Sequence, residues 1–99
     1  MSTENNQSPI VASGFIKADG SIISNSGMES VTRDGVGEYT IILSQHTSKS
    51  FIPSFAIYDI HNFGFVSYYT PTNATLVVKI RNAAGENLDA MFCFSVIDQ

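Results

Sequence analysis

The sequence predicts an all-β fold, namely an antiparallel, jelly-roll-like β-sandwich of about eight short strands. Short apolar or alternating segments follow one another, each closed by turn residues, at a spacing close to the roughly 8–12 residues typical of sandwiches and barrels. The β-branched and aromatic residues are concentrated in these segments, which favours strands. No segment shows a convincing 3.6-residue period, so helices are not expected.

The length and composition predict one folded domain. With 99 residues the chain has room for a single core. A hydrophobic share of 43% and a charged share of only 14% exclude a disordered protein and a coiled coil. The net charge of -4 argues against nucleic-acid or anionic-lipid binding through a basic field. No membrane insertion is expected, because no apolar run approaches the roughly 18 residues of a spanning helix.

The N-terminal residues differ from the rest of the chain. Residues 1–9 are polar and lack a periodic apolar pattern, so they are predicted to be a flexible leader before a β-sandwich domain at 10–99. Residues 1–8 have neither a basic start nor an apolar stretch, so no signal peptide is recognised. Synthesis in the cytoplasm is expected, with later export or association with a particle left open.

Four strands are predicted before the longest polar connection, at residues 10–17, 21–24, 28–33 and 38–44. Asp19-Gly20 predicts a hairpin turn after the first strand, because this pair tolerates the positive φ of a tight turn. In the fourth strand Tyr39, Ile41 and Leu43 share one face, which is typical of an amphipathic strand.

Four more strands are predicted at 51–60, 65–70, 74–81 and 88–97. The polar residues 45–50 before them are expected to form a crossover of the Greek-key kind. Pro53 indicates an edge strand or a bulge. Residues 71–73 are expected to form a turn. The strand at 74–81 alternates apolar residues with outward Lys79 and Arg81, as a half-buried strand does.

The last predicted strand is apolar on both sides. Phe92 and Phe94 fall on one face, and Met91, Cys93 and Ile97 fall on the other. A two-layer sandwich has only one inner face, so the second apolar side predicts burial between subunits of a homo-oligomer. Cys93 cannot form an internal disulfide and is expected to be a small buried hydrophobe.

The sequence shows no converging catalytic groups, and we expect neither an enzyme nor a cofactor nor a metal site. His46 and His61 fall in predicted loops without a zinc-type spacing. Asp59 and His61 lie two apart, so in an extended chain both would project to one side and could meet a sugar hydroxyl or a metal. The alternative is an ordinary polar pair at a strand end.

Residues 58–69 form the segment richest in aromatic and polar residues, and any ligand-binding surface is predicted there. Aromatic faces stack on sugar rings or fill partner pockets, while Asp, Asn and His orient hydroxyls. The candidate ligand-binding residues are Tyr58, Asp59, His61, Asn62 and Tyr68. The alternative is core plus turn, because alternate residues of a strand point to opposite faces and about half of the aromatics would be buried.

Several motifs resemble a bacterial and phage module. They are Ala18-Asp19-Gly20, then Ser26-Gly27, then Val-Thr-Arg-x-Gly-x-Gly-x-Tyr at residues 31–39, and the apolar ending at 91–97. Modules of this kind occur at phage tail-fibre tips and in bacterial surface adhesins, and they are distantly similar to the trimeric jelly rolls of the complement heads and the tumour-necrosis-factor family. The resemblance implies a homotrimer that binds a glycan, as a lectin does, or a surface receptor. The alternative function is a structural protein of a phage-tail-like or other multi-subunit particle.

Overall fold

A computed structural model describes residues 10–45, 51–58 and 64–98. These residues contain eight strands and no helix: β1 (Ile10–Ile16), β2 (Ile22–Ser26), β3 (Met28–Gly35), β4 (Glu38–Leu43), β5 (Phe51–Tyr58), β6 (Gly64–Thr72), β7 (Thr75–Asn82) and β8 (Met91–Asp98). A membrane-spanning helix is therefore absent from the described parts of the chain.

The strands form two four-stranded antiparallel sheets. Sheet A has the order β2-β1-β8-β5, and sheet B has the order β3-β4-β7-β6. The two sheets share one apolar core, so the predicted all-β sandwich is confirmed. The rings of Tyr39 in sheet B and Phe92 in sheet A meet inside it, with centroids 5.1 Å apart.

The core follows from the two-residue period of the strands. In β4, β7 and β8 every second side chain is buried, and the intervening ones are partly exposed. The fully buried side chains of largest volume are contributed by both sheets: Tyr39, Phe92, Ile16, Ile41, Leu76, Ile80, Val78 and Val96.

Several predicted strand boundaries were wrong by two or three residues. Strands β2 and β3 end at Ser26 and Gly35 and not at residues 24 and 33. The last strand begins at Met91 and not at residue 88, because Leu88 N donates to Ile80 O at 3.0 Å and ties this part of the chain to the end of β7. The predicted turn at 71–73 lies further on, at Asn73 and Ala74, because β6 continues to Thr72. An edge strand such as β6 tolerates its Pro71.

The chain changes sheets between β2 and β3, between β4 and β5, between β5 and β6, and between β7 and β8. Between β2 and β3 it does so around Gly27, whose φ is +81° and where a Cβ would collide with Val11 O. Strands β4 and β5 also lie in different sheets, as the predicted crossover requires. Pro53 lies in edge strand β5, as predicted. The predicted leader at 1–9 and the connecting residues 46–50, including His46, lie outside the described residues.

Candidate functional site

The two outer faces of the sandwich differ in chemistry. We define the sheet A surface as those outward side chains of β1, β2, β5 and β8 that the structure describes, and none of them is charged: Ile10, Ser13, Phe15, Ser24, Ser26, Ile52, Ser54, Ala56, Tyr58, Met91, Cys93, Ser95 and Ile97. We define the sheet B surface as the outward side chains of β3, β4, β6 and β7, which include Glu38, Lys79 and Arg81.

A row of serines crosses the whole sheet A surface. Ser26 of β2 lies opposite Ser13 of β1, Ser13 lies opposite Ser95 of β8, and Ser95 lies opposite Ser54 of β5. Neighbouring strands are about 4.8 Å apart, so the hydroxyls form an evenly spaced line perpendicular to the strands. Each hydroxyl can both donate and accept a hydrogen bond.

Apolar side chains flank the serine row on both sides. Ile10, Ile97 and Ile52 form a parallel row, and Ile10 and Ile52 are 68% and 48% exposed. On the other side the rings of Phe15 and Tyr58 meet edge to face, with centroids 5.8 Å apart. The sheet A surface is thus a band of hydroxyls between two apolar regions.

Cys93 lies on this surface, on the side of β8 that the sequence predicts, but it is not fully buried within the single chain. It is partly exposed and pairs with Ala56 of β5 and Phe15 of β1. The strand's period places its inward neighbours Phe92 and Phe94 in the core, so Cys93 must point outward. A shallow depression of about 280 Å³ lies there, lined by Ser54, Phe55, Ala56, Cys93, Phe94 and Ser95.

The predicted ligand-binding residues are divided between faces. Tyr58 belongs to the sheet A surface and is 63% exposed. Tyr68 lies on the inward side of edge strand β6, where its ring lies 5.8 Å from that of Phe55 and closes the gap between the edges of the two sheets. Asp59, His61 and Asn62 lie outside the described residues, so a joint site stays a prediction.

The sheet B surface carries a cluster that the sequence analysis did not select. Phe65 and Tyr69 point outward from β6 and are 67% and 56% exposed. In the paired strand β7, Arg81 lies opposite Phe65 and Lys79 lies opposite Ser67 between the two rings. We call Phe65, Ser67, Tyr69, Lys79 and Arg81 the cationic-aromatic patch. The sequence alone does not show that these residues are neighbours, because their proximity depends on the register of β6 against β7.

One end of the sandwich is held by the carboxylate of Asp89. It accepts hydrogen bonds from Arg33 Nη2 at 2.7 Å, from Arg33 Nε at 3.1 Å and from Gly37 N at 2.8 Å. Tyr39 Oη lies 3.3 Å from Asp89 Oδ1 and donates to Ala18 O at 2.7 Å. The network therefore joins the β1–β2 turn, β3, β4 and the β7–β8 connection.

This network shifts pKa values in the directions that its geometry dictates. Hydrogen bonds from Arg33 lower the pKa of Asp89, with a smaller contribution from Gly37. Burial of the Tyr39 phenol, with the nearby Asp89 charge as a second cause, raises the pKa of Tyr39 to about 12. Asp89 and Tyr39 are both hydrogen-bonded to other parts of the fold. We therefore infer that they stabilise the loops at this end of the sandwich and do not act on a ligand.

The motifs that carry the resemblance meet in the same network. Ala18, Arg33, Gly37 and Tyr39 come from the Ala-Asp-Gly and Val-Thr-Arg-x-Gly-x-Gly-x-Tyr stretches, and all of them contact Asp89 or one another. At Gly37 the φ is +71° and a Cβ would lie 2.5 Å from Ile80 O. These motifs therefore specify loop geometry at one end of the fold.

Comparisons with protein-family models, with curated proteins and with solved structures returned no match for the chain. Within residues 10–45, 51–58 and 64–98, no three or more His, Cys, Asp or Glu side chains are grouped so that they could hold a metal ion. Among the described residues, we take the two outer faces as the candidate functional surfaces.

Proposed function

We propose that the chain is a non-enzymatic recognition subunit that works as a homo-oligomer. Its sheet A surface packs against other copies, and its sheet B surface stays free for a ligand. The observation that carries the proposal is the contrast between these surfaces, since the described outward side chains of sheet A include no charge while those of sheet B include Glu38, Lys79 and Arg81. Depletion of charge is typical of the centre of protein interfaces.

A second copy of the chain suits the sheet A surface better than an unlike partner does. A face without charges meets its own copy without like-charge repulsion, and serine hydroxyls can pair with serine hydroxyls because each is both donor and acceptor. Four strands of about seven residues give a flat face of roughly 450 Å². That is the same order as the about 800 Å² that each partner contributes to a standard interface.

The exposed apolar side chains indicate where the association would be strongest. Ile10, Ile52 and Tyr58 are each about half exposed or more, and they lie on the two sides of the serine row. Burying a large apolar side chain contributes about 1.5–3 kcal/mol. Several such side chains on each copy can stabilise an oligomer. The homotrimer implied by the resemblance is one such assembly.

Charge placed on each surface in turn tests the proposal. Ser95→Glu puts a carboxylate at the centre of the sheet A surface, and Ile52→Lys puts a cation on its exposed edge. Ser67→Glu is the matched control on the sheet B surface. Sedimentation velocity should show that the first two variants dissociate while the control keeps the wild-type mass, with circular dichroism confirming that all three stay folded.

Folded variants that all keep the wild-type oligomer would contradict the assignment of the sheet A surface. Dissociation by Ser67→Glu alone would place the contact on sheet B. A structural subunit of a larger particle, without a ligand of its own, remains the alternative function. It relies on the same sheet A surface and is distinguished by the absence of ligand binding on sheet B.

A further inference from the structure

We propose that the cationic-aromatic patch binds a carboxylated oligosaccharide, that is, a glycan containing uronic or sialic acid residues. This inference rests on the proposed recognition function and names its ligand class. The patch combines two exposed rings on edge strand β6 with two cations on the adjoining strand β7, in a chain whose net charge is -4. Edge strand β6 leaves the patch open on its outer side.

The cations of the patch are free to bind an acid. Among the described residues, neither Lys79 nor Arg81 forms an ion pair, whereas Arg33 is paired with Asp89. Arg81 Nε donates to Asn87 Oδ1 at 3.1 Å, which fixes the guanidinium while its terminal nitrogens have no partner among the described residues. A guanidinium held in this way can bind a carboxylate through two parallel hydrogen bonds.

The spacing of the two exposed rings indicates what kind of molecule carries the acid. Phe65 and Tyr69 are four residues apart on one face of a strand, which separates their Cα atoms by about 13 Å. Sugar rings stack on exposed aromatic faces of this kind, and the hydroxyl of Ser67 lies between the two platforms. Two platforms at this separation match an extended chain of several sugars and not one monosaccharide.

The carboxylates around the patch limit the direction in which an acidic ligand can lie on the sheet B surface. Glu38 of β4 lies opposite Lys79 on the side away from β6, and Asp34 lies further away, where it accepts from Thr40 Oγ1 at 2.5 Å. Glu86 lies beyond the end of β7 and accepts from Asn82 Nδ2. These carboxylates disfavour an acidic ligand running across the sheet towards β4, while an acidic oligosaccharide running along β6 meets Lys79 and Arg81 and avoids Glu38 and Asp34.

Calorimetric titration with tetragalacturonate tests the inference, with the neutral cellotetraose and a hexaglutamate peptide as comparison ligands. We expect the wild type to bind tetragalacturonate and to bind both comparison ligands at least about tenfold more weakly. Arg81→Gln and Tyr69→Ala should each weaken tetragalacturonate binding about tenfold or more. Lys17→Gln, which removes a cation from the β1–β2 turn, is the matched control and should leave binding unchanged.

The inference is overturned by failure to bind tetragalacturonate, by equal binding of cellotetraose, or by loss of binding in Lys17→Gln equal to that in Arg81→Gln. Equal binding of hexaglutamate overturns it in favour of an acidic peptide. Light scattering on the same samples separates this result from that of the proposed function. An oligomer that does not bind tetragalacturonate contradicts only the proposed ligand. A monomer that binds tetragalacturonate contradicts only the proposed self-assembly.

Discussion

Arg33 and Asp89, which are 56 positions apart in the sequence, are joined by a forked ion pair. Nε of Arg33 lies 3.1 Å from both carboxylate oxygens of Asp89, and Nη2 lies 2.7 Å from Oδ2. The same carboxylate accepts from Gly37 N. One side chain thus fixes β3, the β3–β4 turn and the connection into β8.

Asp89→Asn should destabilise the protein at neutral pH and do so less at acidic pH. Hydrogen bonds from Arg33 lower the pKa of folded Asp89 below its unfolded value, so its contribution is present above the unfolded pKa and is lost as the pH falls through the folded one. The side chains of Arg33 and Asp89 are about one-third exposed, so we expect Asp89→Asn to lower the free energy of unfolding by only about 1 kcal/mol at pH 7. Urea unfolding of the wild type and of Asp89→Asn at pH 7 and pH 3 measures this difference in stability. A difference independent of pH would contradict this role of the carboxylate.

Tyr39→Phe should remove an alkaline transition of the wild type. The folded pKa of Tyr39 is raised to about 12, so its stabilisation is complete below the unfolded value near 10 and is lost as the pH rises towards 12. One such group changes the free energy of unfolding by about 1.4 kcal/mol per pH unit in that window. At pH 7 the lost bond to Ala18 O should cost about 1–2 kcal/mol. If the free energy of unfolding changed equally with pH in the wild type and in Tyr39→Phe between pH 10 and 12, the phenol of Tyr39 would not be buried and hydrogen-bonded as described.

Gly37→Ala should destabilise the protein more than Gly85→Ala does. Both residues have a positive φ, +71° and +84°, but a Cβ at Gly37 would meet Ile80 O at 2.5 Å whereas one at Gly85 meets no atom within 4 Å. We expect about 1 kcal/mol for Gly85→Ala from backbone strain alone, and more than about 2 kcal/mol for Gly37→Ala. Thermal unfolding of the two variants compares them. A similar loss in both would show that the space around Gly37 is unimportant.

Phe92→Ala should cost about 3–5 kcal/mol, because it removes a fully buried ring that contacts Tyr39 across the core and Phe55 of the adjacent strand β5. Phe65→Ala is the matched control, since that ring is 67% exposed, and it should change stability by less than about 0.5 kcal/mol. Chemical denaturation of both variants gives the two values. A large loss in the control would mean that Phe65 is covered, which would also argue against a free cationic-aromatic patch.

The strands could be predicted because local pattern decides them. Tyr39, Ile41 and Leu43 are alternate residues of β4, so their common burial follows from the geometry of a strand. Phe92 and Phe94 were assigned to one face for the same reason. Leu88 was wrongly included in the last strand, because its backbone N–H donates to Ile80 O of β7 while its side chain packs against the core, a tertiary contact that sequence does not reveal.

The surfaces could not be predicted, because they depend on pairing between strands. A bulge between Tyr69 and Thr72 shifts the register of β6 against β7 by one residue, so counting back from the turn would place Phe65 opposite Asn82 instead of Arg81. The serine row likewise requires four strands in register, and β8 reaches β1 from the other end of the chain. The side of β8 that carries Cys93 was predicted correctly from the alternation with Phe92 and Phe94, whereas its burial between subunits stays a prediction.

The mass of the wild-type protein in solution tests self-assembly through the sheet A surface most directly. Light scattering at micromolar concentration should give at least twice the 10.7 kDa chain mass, and three times that mass if the assembly is the predicted homotrimer. A mass of 10.7 kDa that persists as the concentration is raised would contradict it.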